Sequence, residues 1–256
     1  MLLKDKVCLV TGAAAPRSIG LAVAELFAEH GAKVIVADVA MTDRVAREIK
    51  TSIERWTQRE SDVIGLRCDV ASIGDCDQAV NQVVALHGTL DCLIHCAGIV
   101  RTQQLMHISE NDFDLIMDTN LKGTFNICKS VLTVFTARRA GVIVNLASSA
   151  AQRGGGFVGG AHYAASKGGV LSLTRTIARE FGPHGIRANA VCPAMIETSM
   201  LDGISATKRA EITAAVPLQR TGTPRECAGA CLFLASELSG FVTGATIDVN
   251  GGSHIH

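Results

Sequence analysis

The chain has 256 residues, 48% hydrophobic, 19% charged and 4% aromatic, with 24 basic side chains balancing 24 acidic ones. This length suits one large domain with its own core. The zero formal charge excludes a chain-wide basic field for nucleic acid or an anionic membrane, though not a local patch. Val7-Cys-Leu-Val-Thr11 reads as a first buried strand, followed by a loop from Gly12 to Gly20 and a helix to about His30. Lys33 to Ala37 is a second strand ending at Asp38, and Met41 to Arg59 a second helix. Val63 to Arg67 is a third strand, Asp75 to His87 a third helix, and Asp91 to His95 a fourth strand ending in Ala97-Gly98. Ser109 to Arg138 is helical, as two helices joined near Thr119. Gly141 to Ala147 is a fifth strand, Tyr163 to Phe181 a helix, and Arg187 to Val191 a sixth strand. Thr198 to Ala215 has a polar helical period after an irregular stretch. Pro224, at the first helical position after Thr223, opens a helix to Ala235, and Ala245 to Val249 is a last strand.

Short apolar strands alternating with helices form the βαβ signature of a parallel sheet covered on both faces. No linker, repeat or charge block divides residues 1–256, so we expect one α/β domain with a flexible flap at about 194–218. Ligands of such a sheet bind beyond the carboxyl ends of its strands. No apolar run reaches the roughly 18 residues of a membrane span, and charges at Lys4, Asp5 and Lys6 interrupt any signal-like start. The nine cysteines lie mostly in apolar segments, with no CxxC, which points to reduced, buried thiols in a cytoplasmic protein. No zinc-ligand spacing occurs and no metal is expected. The tail histidines His254 and His256, at i and i+2, could hold a metal across subunits or simply form an ordered or frayed terminus.

The loop after the first strand has the means to hold a pyrophosphate. Gly12 and Gly20 let the backbone approach, and N–H groups of Arg17, Ser18 and Ile19 cluster at the helix start. Asp38 ends the second strand where an adenosine ribose would lie. A carboxylate there accepts from the 2′- and 3′-hydroxyls and repels a 2′-phosphate, favouring NAD over NADP. Arg17 is the counter-argument, because a guanidinium could pair with that phosphate. Asp69 could accept from an adenine amino group or serve as a turn residue. Ala97-Gly98 offers a small surface for the adenosine to pass.

Tyr163 is the chain's one tyrosine, and Lys167 lies one helical turn on, at i+4. A phenol titrates at about pH 10 unperturbed, and an ammonium beside it favours the phenolate. Tyr163 could then take a proton from an alcohol or return one to a carbonyl. Ser148, at a strand end, could hold the substrate oxygen. Asn120, awkward inside a helical stretch, could order a water next to Lys167. Gln152, Arg153, Phe157, His162, Met195, Ile196, Glu197, Met200 and Leu201 could shape a substrate end. Arg153 could draw an acidic or phosphorylated substrate, or simply face solvent. His95 reads as a packed, hydrogen-bonded histidine.

Together these residues resemble the short-chain dehydrogenase/reductase family, from about Lys6 to Gly252. Thr11-Gly12…Ile19-Gly20 resembles its cofactor loop and Asp69-Val70 its adenine-contacting pair. Asn120, Ser148 and Tyr163-Ala-Ala-Ser-Lys167 are similar to its catalytic set. Asn189-Ala-Val-Cys-Pro193, with Ile196, resembles the stretch lining the nicotinamide, and Thr198 the threonine that contacts the carboxamide. The resemblance implies a doubly wound Rossmann-type three-layer sandwich with about seven parallel strands. It also implies a homotetramer formed through the helices containing Asn120 and Tyr163. Polyol and secondary-alcohol dehydrogenases and 3-oxoacyl-carrier-protein reductases look closest.

The departures fall at specific places. Two residues are added in the glycine loop, and Ser18 replaces its middle glycine. Cys96 replaces an asparagine and Ala194 a glycine. The Ser148–Tyr163 interval is 15 residues rather than 13 and contains Gly154-Gly-Gly-Phe-Val-Gly-Gly160, a loop with an ordering cost that could move on binding. We expect an NAD-dependent oxidoreductase acting on a small to medium secondary alcohol, a polyol or the corresponding ketone. An NADPH-dependent 3-oxoacyl-carrier-protein reductase is the alternative. A non-catalytic nucleotide-binding or scaffolding protein is the reading of another class, and it would need the Tyr–Lys pair to point away from the nicotinamide.

Overall fold

A computed structural model describes every residue of the chain except Asp62, Phe157 and His256. Seven strands form one parallel sheet: β1 (Val7–Thr11), β2 (Lys33–Asp38), β3 (Val63–Arg67), β4 (Cys92–His95), β5 (Gly141–Leu146), β6 (Ile186–Pro193) and β7 (Thr246–Val249). Their order is β3-β2-β1-β4-β5-β6-β7, so the winding reverses between β1 and β4. At that switch point the crossover connections leave in opposite directions and open a crevice. The register sets Thr11 beside His95 and His95 beside Asn145.

Strands buried on both faces explain why β1 and β4 are apolar runs rather than alternating ones. Odd and even positions feed different layers. Cys8, Val10, Val34 and Ile94 pack with α1 (Ile19–Glu29), α2 (Asp43–Thr57) and α9 (Pro224–Ala235). Leu9, Ile35, Leu93 and Ile143 pack with α3 (Ile73–His87), α5 (Gly123–Arg138) and α7 (Ala161–Phe181). The expected three-layer, doubly wound fold is therefore the observed one.

Side-chain caps decide the helix starts. Thr42 accepts from Val45 N and Ser72 from Asp75 N, so α2 begins later and α3 earlier than their apolar patterns suggest. Thr223 and Glu226 form a reciprocal capping box around Pro224, and α9 runs over the expected residues. The stretch from Ser109 to Arg138 divides as expected near Thr119. There α4 (Glu110–Met117) passes into α5 through a π-helical turn, Asp118–Lys122. Such turns often mark functional positions. One short helix was not foreseen: α6 (Ala150–Arg153) follows β5 directly. The segment after β6 carries a 3-10 turn at Ser199–Leu201 and α8 (Ala206–Ala214). It is anchored inward by Leu201, Ile212 and Val216. No helix among the described residues is long and apolar enough to cross a membrane.

Candidate active site

A cavity of about 570 Å³ opens at the carboxyl ends of the strands, within the usual size of ligand sites. Its nucleotide arm rests on two glycines. Gly12 has φ of 71°, and a Cβ there would lie 2.5 Å from the Ala97 nitrogen. A Cβ on Gly20 would lie 2.4 Å from the Gly12 carbonyl oxygen. The loop therefore lies flat over the switch point, with Ile19 and Ala97 lining the cavity beside it. Ser18 has extended backbone, so no glycine is needed there, and its Oγ accepts from Leu21 N at 3.1 Å. Ser18 also lines the cavity, so its cap on α1 and a place beside a pyrophosphate coexist.

Asp38 lines the arm with its carboxylate fixed by two backbone donors, Ala14 N at 3.1 Å and Ala40 N at 3.0 Å. Asp69 and Val70 line it from the end of β3. Asp69 Oδ1 also accepts from Ala71 N at 3.0 Å, so its turn role and its place in the cavity coexist. Arg17 requires a correction. One guanidinium nitrogen, Nη2, donates to both carboxylate oxygens of Asp202, at 2.7 and 2.5 Å, and Arg17 does not line the cavity. The carboxylate after β6 thus engages the cation that was expected beside a cofactor.

The floor of the cavity holds the chemistry. Ser148 stands just beyond β5, and Tyr163 and Lys167 project from the first turns of α7; all three line the space. Pro193, Ile196 and Thr198 close it from the end of β6. Lys167 Nζ donates to the Leu146 carbonyl at 2.8 Å, and burial lowers its pKa to about 8. Tyr163 departs from expectation. Burial pushes its phenol above the ordinary value, and a hydrogen bond with Ser148 opposes that rise. The lysine, itself desolvated and turned to a backbone carbonyl, does not hold the phenol down here. A Cβ on Gly98 would lie 3.2 Å from Lys167 Nζ and 3.1 Å from Asn120 Oδ1, so a flat group can pass close above both.

Asn120 sits behind this floor rather than in the cavity. It is fully buried in the π turn, and its Oδ1 accepts from Ile99 N at 2.8 Å. Its Nδ2 donates to the Ile99 carbonyl at 2.9 Å and to Ser166 Oγ at 3.1 Å. The amide thus clamps the chain after Gly98 through Ile99 and ties the π turn to α7 through Ser166.

The chain matches the family model described as enoyl-(acyl carrier protein) reductase over residues 12–254. It is 44% identical to an uncharacterized short-chain type dehydrogenase/reductase, y4mP, of Sinorhizobium fredii, with all of both chains covered. It is 38% identical to the 3-oxoacyl-[acyl-carrier-protein] reductase FabG of Thermotoga maritima, over 98% of this chain and 99% of that one. The crystal structure of gox2181 superposes with a TM-score of 0.91 at 33% identity, covering 98% of this chain and 96% of the other. The chain belongs to the short-chain dehydrogenase/reductase family.

This short-chain dehydrogenase/reductase accommodates its departures locally. Where Cys96 removes an anchoring amide, Thr11 Oγ1 accepts from Ala97 N at 3.3 Å and pairs with His95 Nδ1 at 2.7 Å. His95 is buried as expected, and burial holds its pKa down to about 3, so it is neutral. Ala194 donates to the Val249 carbonyl at 3.1 Å. The added residues before Tyr163 form α6 and a glycine turn. Gly159 has φ of 84°, and a Cβ there would meet the Tyr163 ring at 2.4 Å. Gly159 N donates to Thr102 Oγ1 and Gly160 N to the Arg101 carbonyl, which pins the end of the loop next to Tyr163.

At the substrate end, Arg153, Met195, Met200 and Leu201 line the cavity. Three other expected contacts turn elsewhere. Gln152 donates to Asp248, Glu197 engages Arg209 and Thr221, and His162 pairs with Gln103. Phe157 and His256 lie outside the described residues. Cys68, Ile99 and Ser149 line the cavity unforeseen, while Val158 comes from the glycine loop and Ile212 from the flap that were expected to supply it. Cys68 could have been found by the strand-end rule that found Asp69. Among the described residues, no cluster of His, Cys, Asp or Glu forms a metal site.

The residues present fit a dinucleotide. The glycine cradle leaves no room for a Cβ, and Asp38 faces the far end of the same arm. Both Tyr163 and Lys167 face the cavity, opposite to what a purely scaffolding role requires.

Proposed function

We propose that this chain interconverts a secondary alcohol and its ketone with NAD as the hydride partner. The observation that carries the reading is that Ser148, Tyr163 and buried Lys167 line one cavity whose other arm ends on Asp38. A bound nicotinamide supplies the hydride acceptor or donor. The chain's own work is to hold the oxygen and move its proton. In the oxidising direction Tyr163 Oη takes the hydroxyl proton while Ser148 Oγ holds the substrate oxygen. Lys167 lines the same floor and can hold the nicotinamide ribose. Asn120 acts through Ile99, keeping the chain behind Gly98 in place. The preference for NAD rests on Asp38 and on the engagement of Arg17 by Asp202, outside the cavity lining.

A second reading is an NADPH-dependent 3-oxoacyl-carrier-protein reductase. The FabG relatives support it, as does an apolar substrate end with Val158, Met195, Met200, Leu201 and Ile212, which suits an acyl chain better than a polyol. We further propose one catalytic domain with a movable flap at 194–218, assembled as a cytoplasmic homotetramer.

Following nicotinamide absorbance with both nucleotides over alcohols, polyols, hydroxy acids and oxoacyl thioesters tests these readings. Turnover with NADP equal to or better than with NAD contradicts the role of Asp38. Tyr163→Phe is expected to lose most turnover while still binding NADH; full activity would overturn the mechanism.

A further inference from the structure

The cavity's charged lining is divided between its ends. Asp38 and Asp69 lie at the nucleotide arm, Lys167 is buried at the floor, and Arg153 is the charged residue at the substrate end. Among the described residues, the lining around Arg153 is methionine, leucine, isoleucine, valine and glycine with small polar and alanine side chains, and includes no carboxylate. The guanidinium holds one long hydrogen bond, 3.4 Å to the Ser253 carbonyl, so most of its donors face outward. Its direction is set by the neighbouring residue. Gln152 Nε2 donates to Asp248 Oδ1 at 2.7 Å and ties α6 to β7. Successive helical residues point about 100° apart, so fixing Gln152 toward the sheet edge turns Arg153 toward the cavity.

We propose that Arg153 recognises an oxyanion on the substrate, and therefore that the substrate class is a hydroxy or keto compound carrying a carboxylate or phosphate. This rests on the alcohol–ketone reading above and names the substrate class of the same site. Ser148 and Arg153 are five residues apart. Ser148 precedes α6 and Arg153 closes it, so both come from the one short segment that follows β5. A substrate whose oxygen lies on Ser148 therefore presents its anion a few bonds from the reacting carbon. A planar guanidinium takes either oxyanion with two parallel hydrogen bonds, which fixes the substrate's orientation as well as its affinity. The apolar wall opposite accepts the rest of a short carbon chain.

The test compares paired substrates. Short hydroxy acids, with the hydroxyl on successive carbons from the carboxylate, are assayed beside their own methyl esters. Hydroxyalkyl phosphates are assayed beside the parent diols. The wild-type protein is expected to favour at least one anionic series by about tenfold or more in kcat/KM, mainly through KM. The preferred series then separates carboxylate from phosphate. Arg153→Gln is expected to erase the preference and Arg153→Lys to keep part of it, with NADH fluorescence titration verifying an intact site in each. Equal use of acids and esters by the wild type, or an unchanged preference in Arg153→Gln, would overturn the role of Arg153 and leave the alcohol–ketone reading standing. Failure of every alcohol and ketone, charged or neutral, with either nucleotide would overturn both.

Discussion

Replacing Ser148 with alanine separates a hydroxyl that steadies charge from one that merely caps a turn. In the structure Ser148 contributes two things. It lowers the pKa of a phenol that burial pushes up, and its Oγ accepts from Ala150 N at 3.1 Å at the start of α6. The second contact is an ordinary neutral hydrogen bond, worth about 0.5–1.5 kcal/mol to stability. The first is made to a group that becomes charged during turnover, for which about 1.5–3 kcal/mol is typical. Lost only in the transition state, that energy amounts to about a 10- to 150-fold drop in kcat/KM. Initial rates of alcohol oxidation across pH, with thermal melts alongside, measure both parts. Oxidation requires the phenolate, so the rate rises with pH through the Tyr163 titration, and removing Ser148 moves that inflection upward. Tyr163 is the only tyrosine, so ultraviolet absorbance of phenolate reads the same event directly. Ser148→Thr, which keeps the hydroxyl, is expected to recover much of the loss. A rate within about twofold of wild type, or an inflection that stays put, would refute the assigned role.

Gly20→Ala places a Cβ 2.4 Å from the Gly12 carbonyl oxygen. Overpacking costs about 1–3 kcal/mol, while helix propensity returns up to about 1 kcal/mol. Calorimetric titration is therefore expected to register a larger loss of nucleotide affinity than melting registers in stability, and unchanged affinity would count against the loop. His95 is held down to about 3 in the fold but titrates near the ordinary imidazole value of about 6.5 when unfolded. The unfolded chain thus binds an extra proton between those values, and stability falls as pH drops through that window by about 1.4 kcal/mol per pH unit. Urea unfolding of His95→Asn is expected to lack this component of the acid slope, and identical slopes would contradict it. Asp202→Ala releases Arg17 and is expected to raise the NADP-to-NAD ratio of kcat/KM about tenfold; a constant ratio would mean that Arg17 does not reach the ribose.

The parts of this molecule that were legible in its sequence are those decided by neighbours along the chain. The strand β3 and helix α9 fall on the expected residues, because a short apolar run and a Thr-Pro start each carry their own boundaries. The four-residue helix α6 was missed because it is too short to display a period. The positions of Gly12, Gly20, Asp38 and Ser148 followed from one rule about strand ends, and all of them line the cavity. Contacts between distant segments were illegible. Arg17 and Asp202 are 185 residues apart, and no local pattern announces that one will occupy the other. The sign of the Tyr163 perturbation was misjudged for a related reason. The spacing to Lys167 is local, but burial, which dominates the phenol, is a property of the assembled cavity.

The nine cysteines are all free thiols, and eight of them are buried. Cys8 and Cys92 face each other across β1 and β4, in the layer that α1, α2 and α9 seal. Burial pushes both Cys128 and Cys227 up to about 12, so these sulfurs are neutral at physiological pH even before solvent access is considered. Alkylation of such thiols must wait for the layers to separate. The rate at which a mild reagent adds mass to this protein is therefore a clock for its openings. Strand and helix thiols lie on both faces of the sheet, so peptide mapping would time the two layers independently, without an introduced label.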